Sequence, residues 1–309
     1  MKLHHFLLAT ALLTSPLLTS PLLTSPLLEA EKGAAAPVTP RQAVALFNGK
    51  DFSGLYIWLR ASGPKDPHEV FSVRDGAIHM KGGEHRGCVT TRRAYKDYHV
   101  SVEYKWGEQT DGGKYVRNSG LLVHATGADG GAGRNAWMPS LEIQLAQGCE
   151  GDLIVIRGKD KEGDVVKVDM ATHVRVAADK KTRWDPKGKK VKYSGRQFWW
   201  KDHMPFFKEL LDTRGNKDVA SPKGEWTRVE AICRGRTVTI KINGVIVNQA
   251  VDVFPGHHHD VIFHQNTIGH EKPTDKLHAG ILVSPHATGF QSTENQFRHV
   301  KTDVARQKE

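Results

Sequence analysis

The stretch His99-Val100-Ser101-Val102-Glu103-Tyr104-Lys105-Trp106 decides the fold. In an extended chain Val100, Val102, Tyr104 and Trp106 fall on one side, and His99, Ser101, Glu103 and Lys105 on the other. Strict alternation is the mark of a strand with one face packed and one face wet. Ser119, Leu121 and Val123 oppose Asn118, Gly120, Leu122 and His124 in the same way. Leu141, Ile143 and Leu145 oppose Ser140, Glu142, Gln144 and Ala146. Thr237 to Ile242 alternates into Asn243-Gly244 and then Val245-Ile246-Val247, the sequence of a two-residue hairpin. Only Phe206 to Leu211 reads as helical, and it is short. Many short strands with Gly-rich turns predict an all-β protein, an antiparallel β-sandwich or jelly roll with long inserted loops.

The chain has 309 residues, 44 Lys+Arg against 34 Asp+Glu, and a net charge of +10. With 39% hydrophobic and 25% charged residues it is neither disordered nor collagen-like. Cys88, Cys149 and Cys233 are too few for a disulfide scaffold, and an odd count leaves at least one thiol unpaired. They read as buried structural cysteines. Lys2, His4 and His5 precede an uncharged apolar run from Phe6 to Leu28, the order of a secretory signal over residues 1–30. Thr-Ser-Pro-Leu-Leu occurs three times in it, and Pro16, Pro21 and Pro26 argue against a stable membrane anchor. The expectation is export, to the periplasm or beyond. A linker follows over 31–44, one domain over 45–303, and a polar tail over 304–309.

Residues 175–201 hold ten Lys or Arg against Asp179 and Asp185, with Trp184, Tyr193, Phe198, Trp199 and Trp200 among them. Basic charge interleaved with aromatics can clamp single-stranded nucleic acid. For an exported chain without a nucleic-acid module, a solvated loop is the preferred reading, and no nucleic-acid partner is expected. A second segment contains His257, His258, His259, His264, His270, His278 and His286. Such density suggests a divalent metal, but no His-x-x-x-His pattern marks a closed site, so a divalent metal stays open as a cofactor with its ligands unassigned.

Parity supplies the candidate site. Glu142 and Gln144 share a face, as do Glu103 and Lys105, and as do Asn118 and His124. If these strands share a sheet, their polar faces make one hydrogen-bonding surface. In glucanases of sandwich architecture one strand carries three carboxylates, whereas Glu142-Ile143-Gln144-Leu145-Ala146-Gln147 supplies one. A retaining glycosidase needs two carboxyls about 5–5.5 Å apart, so classical hydrolysis is disfavoured.

Leu46-Phe47-Asn48-Gly49-Lys50-Asp51 with Gly54 and Trp58 resembles the opening of the 3-keto-disaccharide hydrolase domain family. Arg117-Asn118-Ser119-Gly120-Leu121, Ser140-Leu141-Glu142-Ile143-Gln144 and Gly151-Asp152 are similar to its later landmarks. Gly224-Glu225-Trp226, Ile242-Asn243-Gly244-Val245 and Phe297-Arg298-His299-Val300 follow in the family's order. The resemblance implies a concanavalin-A-like lectin/glucanase fold and a carbohydrate substrate, a 3-keto-glycoside or 3-keto-disaccharide. A 3-keto group acidifies C2–H, so one base can start an elimination that water later completes. Glu142 or His124 is then the base, Lys105 or a bound metal steadies the enolate, and Glu103 is the acid. Asn118, Gln144, Gln291, Arg298 and Trp137 would contact the sugar. Thr293 departs from the family's final strand, and the His-rich segment looks inserted before it. These departures keep open a second reading, a glycan-binding β-sandwich module without catalysis.

Overall fold

A computed structural model describes residues 36–81, 85–107, 117–133, 136–208 and 210–254, and the backbone of 260–265 and 295–304. Residues 1–30, Gln291 and all of the His-rich segment except the backbone at 260–265 lie outside the described residues. The fold is carried by the unit Ala36–Glu309. Among the described residues there is no α-helix.

The strands form two large antiparallel sheets and one two-stranded ribbon. The seven-stranded sheet runs Gln197–Phe198, Leu153–Ile156, Ser140–Gln144, Ser119–Ala125, Asp260–Gln265, Gly87–Thr91, Leu55–Leu59. The other sheet has eleven strands, with Tyr98–Lys105 near its middle between Thr227–Arg234 and Asn295–Val304. Leu121, Val123, Leu141, Ile143 and Leu153 from the first sheet share one core with Tyr98, Val100, Val102, Tyr104, Val229 and Ile240 from the second. Alternation thus does what it predicts: every second residue of each strand turns inward, and the two sets meet in the middle. The antiparallel β-sandwich is the observed fold.

The Asn243-Gly244 hairpin forms as expected. Ile242 pairs with Val245, and both turn residues have positive φ (47° and 81°), the twist a two-residue hairpin needs. Two expectations change. The described residues of 206–211 form no helix, because Phe206 takes φ 56°, a left-handed conformation no right-handed helix admits. Residues 175–201 are not a loop: Thr182–Trp184 and Lys189–Tyr193 extend the eleven-stranded sheet, and Gln197–Phe198 borders the other. Trp184, Phe198 and Trp200 are consequently core residues. Trp199 is stacked by His203 at 3.9 Å and crowded by Lys181 and Arg183, so its ring is already occupied. The three cysteines are buried and form no disulfide with one another, and burial pushes Cys88 and Cys233 thiols up to about 12.

Gly151 shows why the Gly-Asp pair stands where it does. Its φ is +94°, and an added Cβ would meet Val247 Cγ2 at 2.6 Å, in the packing between the sheets. Gly151→Ala should therefore lower stability by roughly 2–4 kcal/mol, combining left-handed strain with overpacking. Urea unfolding measures it; a change under about 0.5 kcal/mol, the size of an ordinary surface substitution, would show the turn to be pliable.

Candidate functional site

The outer face of the seven-stranded sheet is built in cross-strand rows. One row runs Trp58, Cys88, His264, Gly120, Gln144. The next runs Tyr56, Thr90, Ile262, Leu122, Glu142, Ile154, Gln197. Glu142 and Gln144 are therefore neighbours on one face, as their spacing predicts, and both are buried. Asn118 continues the same parity just ahead of the Ser119–Ala125 strand. Gln144 turns its Oε1 back to accept from the amides of Leu145 (3.0 Å) and Ala146 (3.3 Å). Its Nε2, a donor, is left as the end directed away from that turn. The backbone of His264 stands level with Gln144, a position no spacing rule could have predicted.

Several expected site residues lie elsewhere. His124 sits at a one-residue bulge: Ala125 pairs with Asp260 but Leu122 with Ile262, and His124 takes φ 54°. The extra residue reverses its side, and the ring packs edge-on to Tyr98 at 6.2 Å in the core between the sheets. His124 is not on the Glu142 face. Glu103 and Lys105 belong to the eleven-stranded sheet, on the side opposite Tyr98, Val100, Val102 and Tyr104. Lys105 Nζ lies over the Trp226 ring at 5.1 Å. Two sheets about 10 Å apart separate them from Glu142, so neither can serve one reaction with it. Arg298 is paired with Glu103 on that same distant sheet. Trp137 is buried with Leu122, Ile154 and Ile156, where it roofs the face and offers no open ring to a sugar.

Two loops flank Glu142 and Gln144. At one end the described residues of 126–139 lie back over the sheet, tied to Lys159 through Gly131 O (2.9 Å) and packed down by Trp137. Asp129 in this flap accepts from Tyr56 Oη (3.0 Å), and burial pushes its carboxyl up against that bond. Tyr56 and Glu142 are four strands apart, about 19 Å. The Asp129 carboxyl is held by the Tyr56 hydroxyl. Among the described residues no group of three or more His, Cys, Asp or Glu side chains is arranged to hold a metal.

At the other end the described residues of 203–213 close over the turn 145–150. The buried Asp152 accepts from Trp200 N (2.8 Å) and Gln197 Nε2 (2.9 Å), and lies 3.3 Å from His203 Nε2. The buried Arg117 donates to Gly107 O and to Asp212 Oδ1, both at 2.8 Å, and Gln147 Nε2 donates to the same oxygen. Phe207 packs on Ala146 and Cys149, above Gly148. Asp212, like Phe206, has positive φ (54°), and each such residue costs about 1–2 kcal/mol. The Asp212 strain is offset by the buried Arg117. Sequence reading missed this bracket; its one visible sign was charge (Arg117, Asp152) inside apolar strand ends.

The same turn holds a buried acid. Burial pushes the Glu150 carboxyl up to about 8, the Asp218 charge adding to it while the Gly148 amide (2.8 Å) and Arg214 oppose it. Its ordinary value is 4.5, so the folded protein keeps a proton that the unfolded chain has lost. Stability from this group is complete below pH 4.5 and is lost as pH rises through 8. Against Glu150→Gln, the wild type should lose stability over that window by at most ~1.4 kcal/mol per pH unit. Paired urea titrations at several pH values measure the difference; one that stays flat would contradict a buried proton.

The sequence profile of the 3-keto-α-glucoside-1,2-lyase-like domain matches residues 42–301. No significant match to a curated protein was found. Among solved structures, the chain is similar to a Parabacteroides distasonis protein assigned to the glycosyl hydrolases, with 16% identity over 85% of this chain and 94% of that one, TM-score 0.43. LamAcat from Zobellia galactanivorans aligns at 10% identity over 86% of this chain and 97% of its own, TM-score 0.42. The profile spans most of the sandwich, from the segment before Leu46 to the Asn295–Val304 strand, and contains both rows of the Glu142 face. The chain belongs to the 3-keto-α-glucoside-1,2-lyase-like domain family, a carbohydrate-active family.

Proposed function

We propose that the protein cleaves the glycosidic bond of 3-keto-glycosides, 3-keto-disaccharides among them, after export from the cytoplasm. One observation supports it above the others: among the described side chains the outer face carries one strand carboxylate, Glu142, on the same face as the amides of Gln144 and Asn118. A two-carboxylate glycosidase needs a second carboxyl about 5–5.5 Å from the first or, if inverting, about 6.5–9.5 Å away. A lyase needs one base.

The chemistry balances with that base alone. The C3 carbonyl acidifies C2–H; the Glu142 carboxylate removes this proton, and the C2–H electron pair forms an enolate with its charge on O3. Amide N–H groups of Gln144 and Asn118 stabilise that oxygen, the role of preorganised donors where charge develops. The enolate re-forms the carbonyl, the C1–C2 double bond forms and the C1–O bond breaks. The proton held by Glu142 passes to the departing oxygen, which leaves as an alcohol. Water then adds across C1 and C2, giving net hydrolysis. Glu142 acts as base and then acid.

Glu142→Gln should cut turnover of a 3-keto-aryl-glucoside by at least about 10³-fold with Tm preserved. Product release followed by absorbance, with a thermal melt alongside, measures both. Residual activity near wild type would overturn the assignment. A wild type that binds glycan but consumes no 3-keto-sugar would identify a binding module instead. Intact mass of the exported protein tests the leader, which should be missing.

A further inference from the structure

The outer face of the seven-stranded sheet carries a hydrophobic cluster of its own, separate from the core between the sheets. Cys88, Leu122 and Ile154 supply it from the strands. Ala136 and Trp137 supply it from the flap that joins Ser119–Ala125 to Ser140–Gln144. Leu122 and Ile154 are the cross-strand neighbours of Glu142, one on either side. Glu142 itself is 2% exposed, Asn118 2% and Gln144 4%. A base sealed to that degree cannot meet a sugar ring until part of its cover moves.

Residues 126–133 and 136–139 are built to move as a piece. Among the described residues their backbone–backbone bonds run within the flap and to Lys159, and none to the strands beneath. Gly127 and Gly133 take φ of 89° and 74°, and Gly133 has open space where a Cβ would stand. Side chains press the flap down. Trp137 enters the outer cluster, and Tyr56 Oη donates to Asp129 Oδ1 at 3.0 Å. Tyr56 belongs to Leu55–Leu59, the last strand of the sheet, so this bond ties the flap across the face from the strands that carry it.

We propose that residues 126–133 and 136–139 form a lid over the Glu142 face, held shut by Tyr56 on Asp129. The inference rests on the Glu142 site of the proposed reaction and adds the step that admits the glycoside. Closed, the lid keeps bulk water from the reacting atoms. The lid also covers a natural reporter. Cys88 is wholly buried, with its Sγ 3.7 Å from Ala136 O. Lifting the lid uncovers this thiol, whereas Cys233 lies in the core between the sheets and is reached only by global unfolding.

The test labels the full-length protein with N-ethylmaleimide under native conditions and follows Cys88 and Cys233 separately by peptide mass. In wild type Cys88 should react at least about tenfold faster than Cys233, at a rate that mild urea hardly changes, the mark of local opening. Tyr56→Phe should speed Cys88 by about tenfold, the worth of one hydrogen bond to a buried carboxyl. Saturating 3-keto-aryl-glucoside on Glu142→Gln should slow Cys88 several-fold as the lid shuts over the bound sugar. Cys88 reacting only as fast as Cys233, with the same urea dependence, overturns the lid. So does a Cys88 rate that neither Tyr56→Phe nor the bound glycoside alters. If wild type consumes no 3-keto-sugar, the reaction reading fails, and the labelling without substrate still decides the lid.

Discussion

One buried carboxylate holds the working end of the molecule together. Asp152 takes hydrogen bonds from Trp200 N and Gln197 Nε2 and has His203 Nε2 at ion-pair distance, all without solvent. A buried carboxylate is tolerable only when its oxygens are satisfied, so residues 197–203 cannot drift without exposing or orphaning it. That requirement fixes the edge strand Gln197–Phe198, puts Trp200 in the core and starts the 203–213 loop in one place. Its own backbone carbonyl meets Gln144 N, so the restraint reaches the Glu142 face directly. Gly151 before it is the residue that lets the chain turn close enough to Val247 for this to happen.

Because the loop is clamped at Asp152 and at Arg117, it can display strained, exposed side chains without unfolding. The Arg117–Asp212 pair is half wet on the aspartate side, which limits its value to stability. Its geometric value is larger, since it pins the second left-handed residue of the loop. The opposite flap works by different physics. Trp137 and Met138 bury apolar area over Leu122, Ile154 and Ile156, and backbone bonds to Lys159 set the register. One boundary of the face is thus ionic and narrow, the other apolar and broad.

The parts that were legible in the sequence are those governed by short-range periodicity. Alternation gave the strands, the two-residue turn gave Asn243-Gly244, and i, i+2 spacing correctly joined Glu142 to Gln144. What failed needed longer-range information. His124 was placed by counting parity through a bulge, and one additional residue is enough to move a side chain to the other face. Glu103 and Lys105 were grouped with Glu142 because all sit on polar faces, yet which sheet a strand joins is set by pairings scores of residues away. Residues 175–201 looked like a solvated loop because their charges are conspicuous, while Trp184, Phe198 and Trp200 were the informative residues. Phe206 was hidden by a local pattern that mimics a helix turn and that Pro205 and a positive φ deny.

These corrections narrow the chemistry instead of weakening it. With His124, Glu103 and Lys105 removed, the described side chains of the Glu142 face keep one carboxylate and two amides, and a balanced elimination needs no further acid or amine. A base that returns its own proton to the leaving oxygen must sit on the side of the ring from which both C2–H and O1 can be reached, so the single carboxylate demands a syn geometry. Such an enzyme gains selectivity less from extra catalytic groups than from how firmly it holds the departing group near that carboxylate.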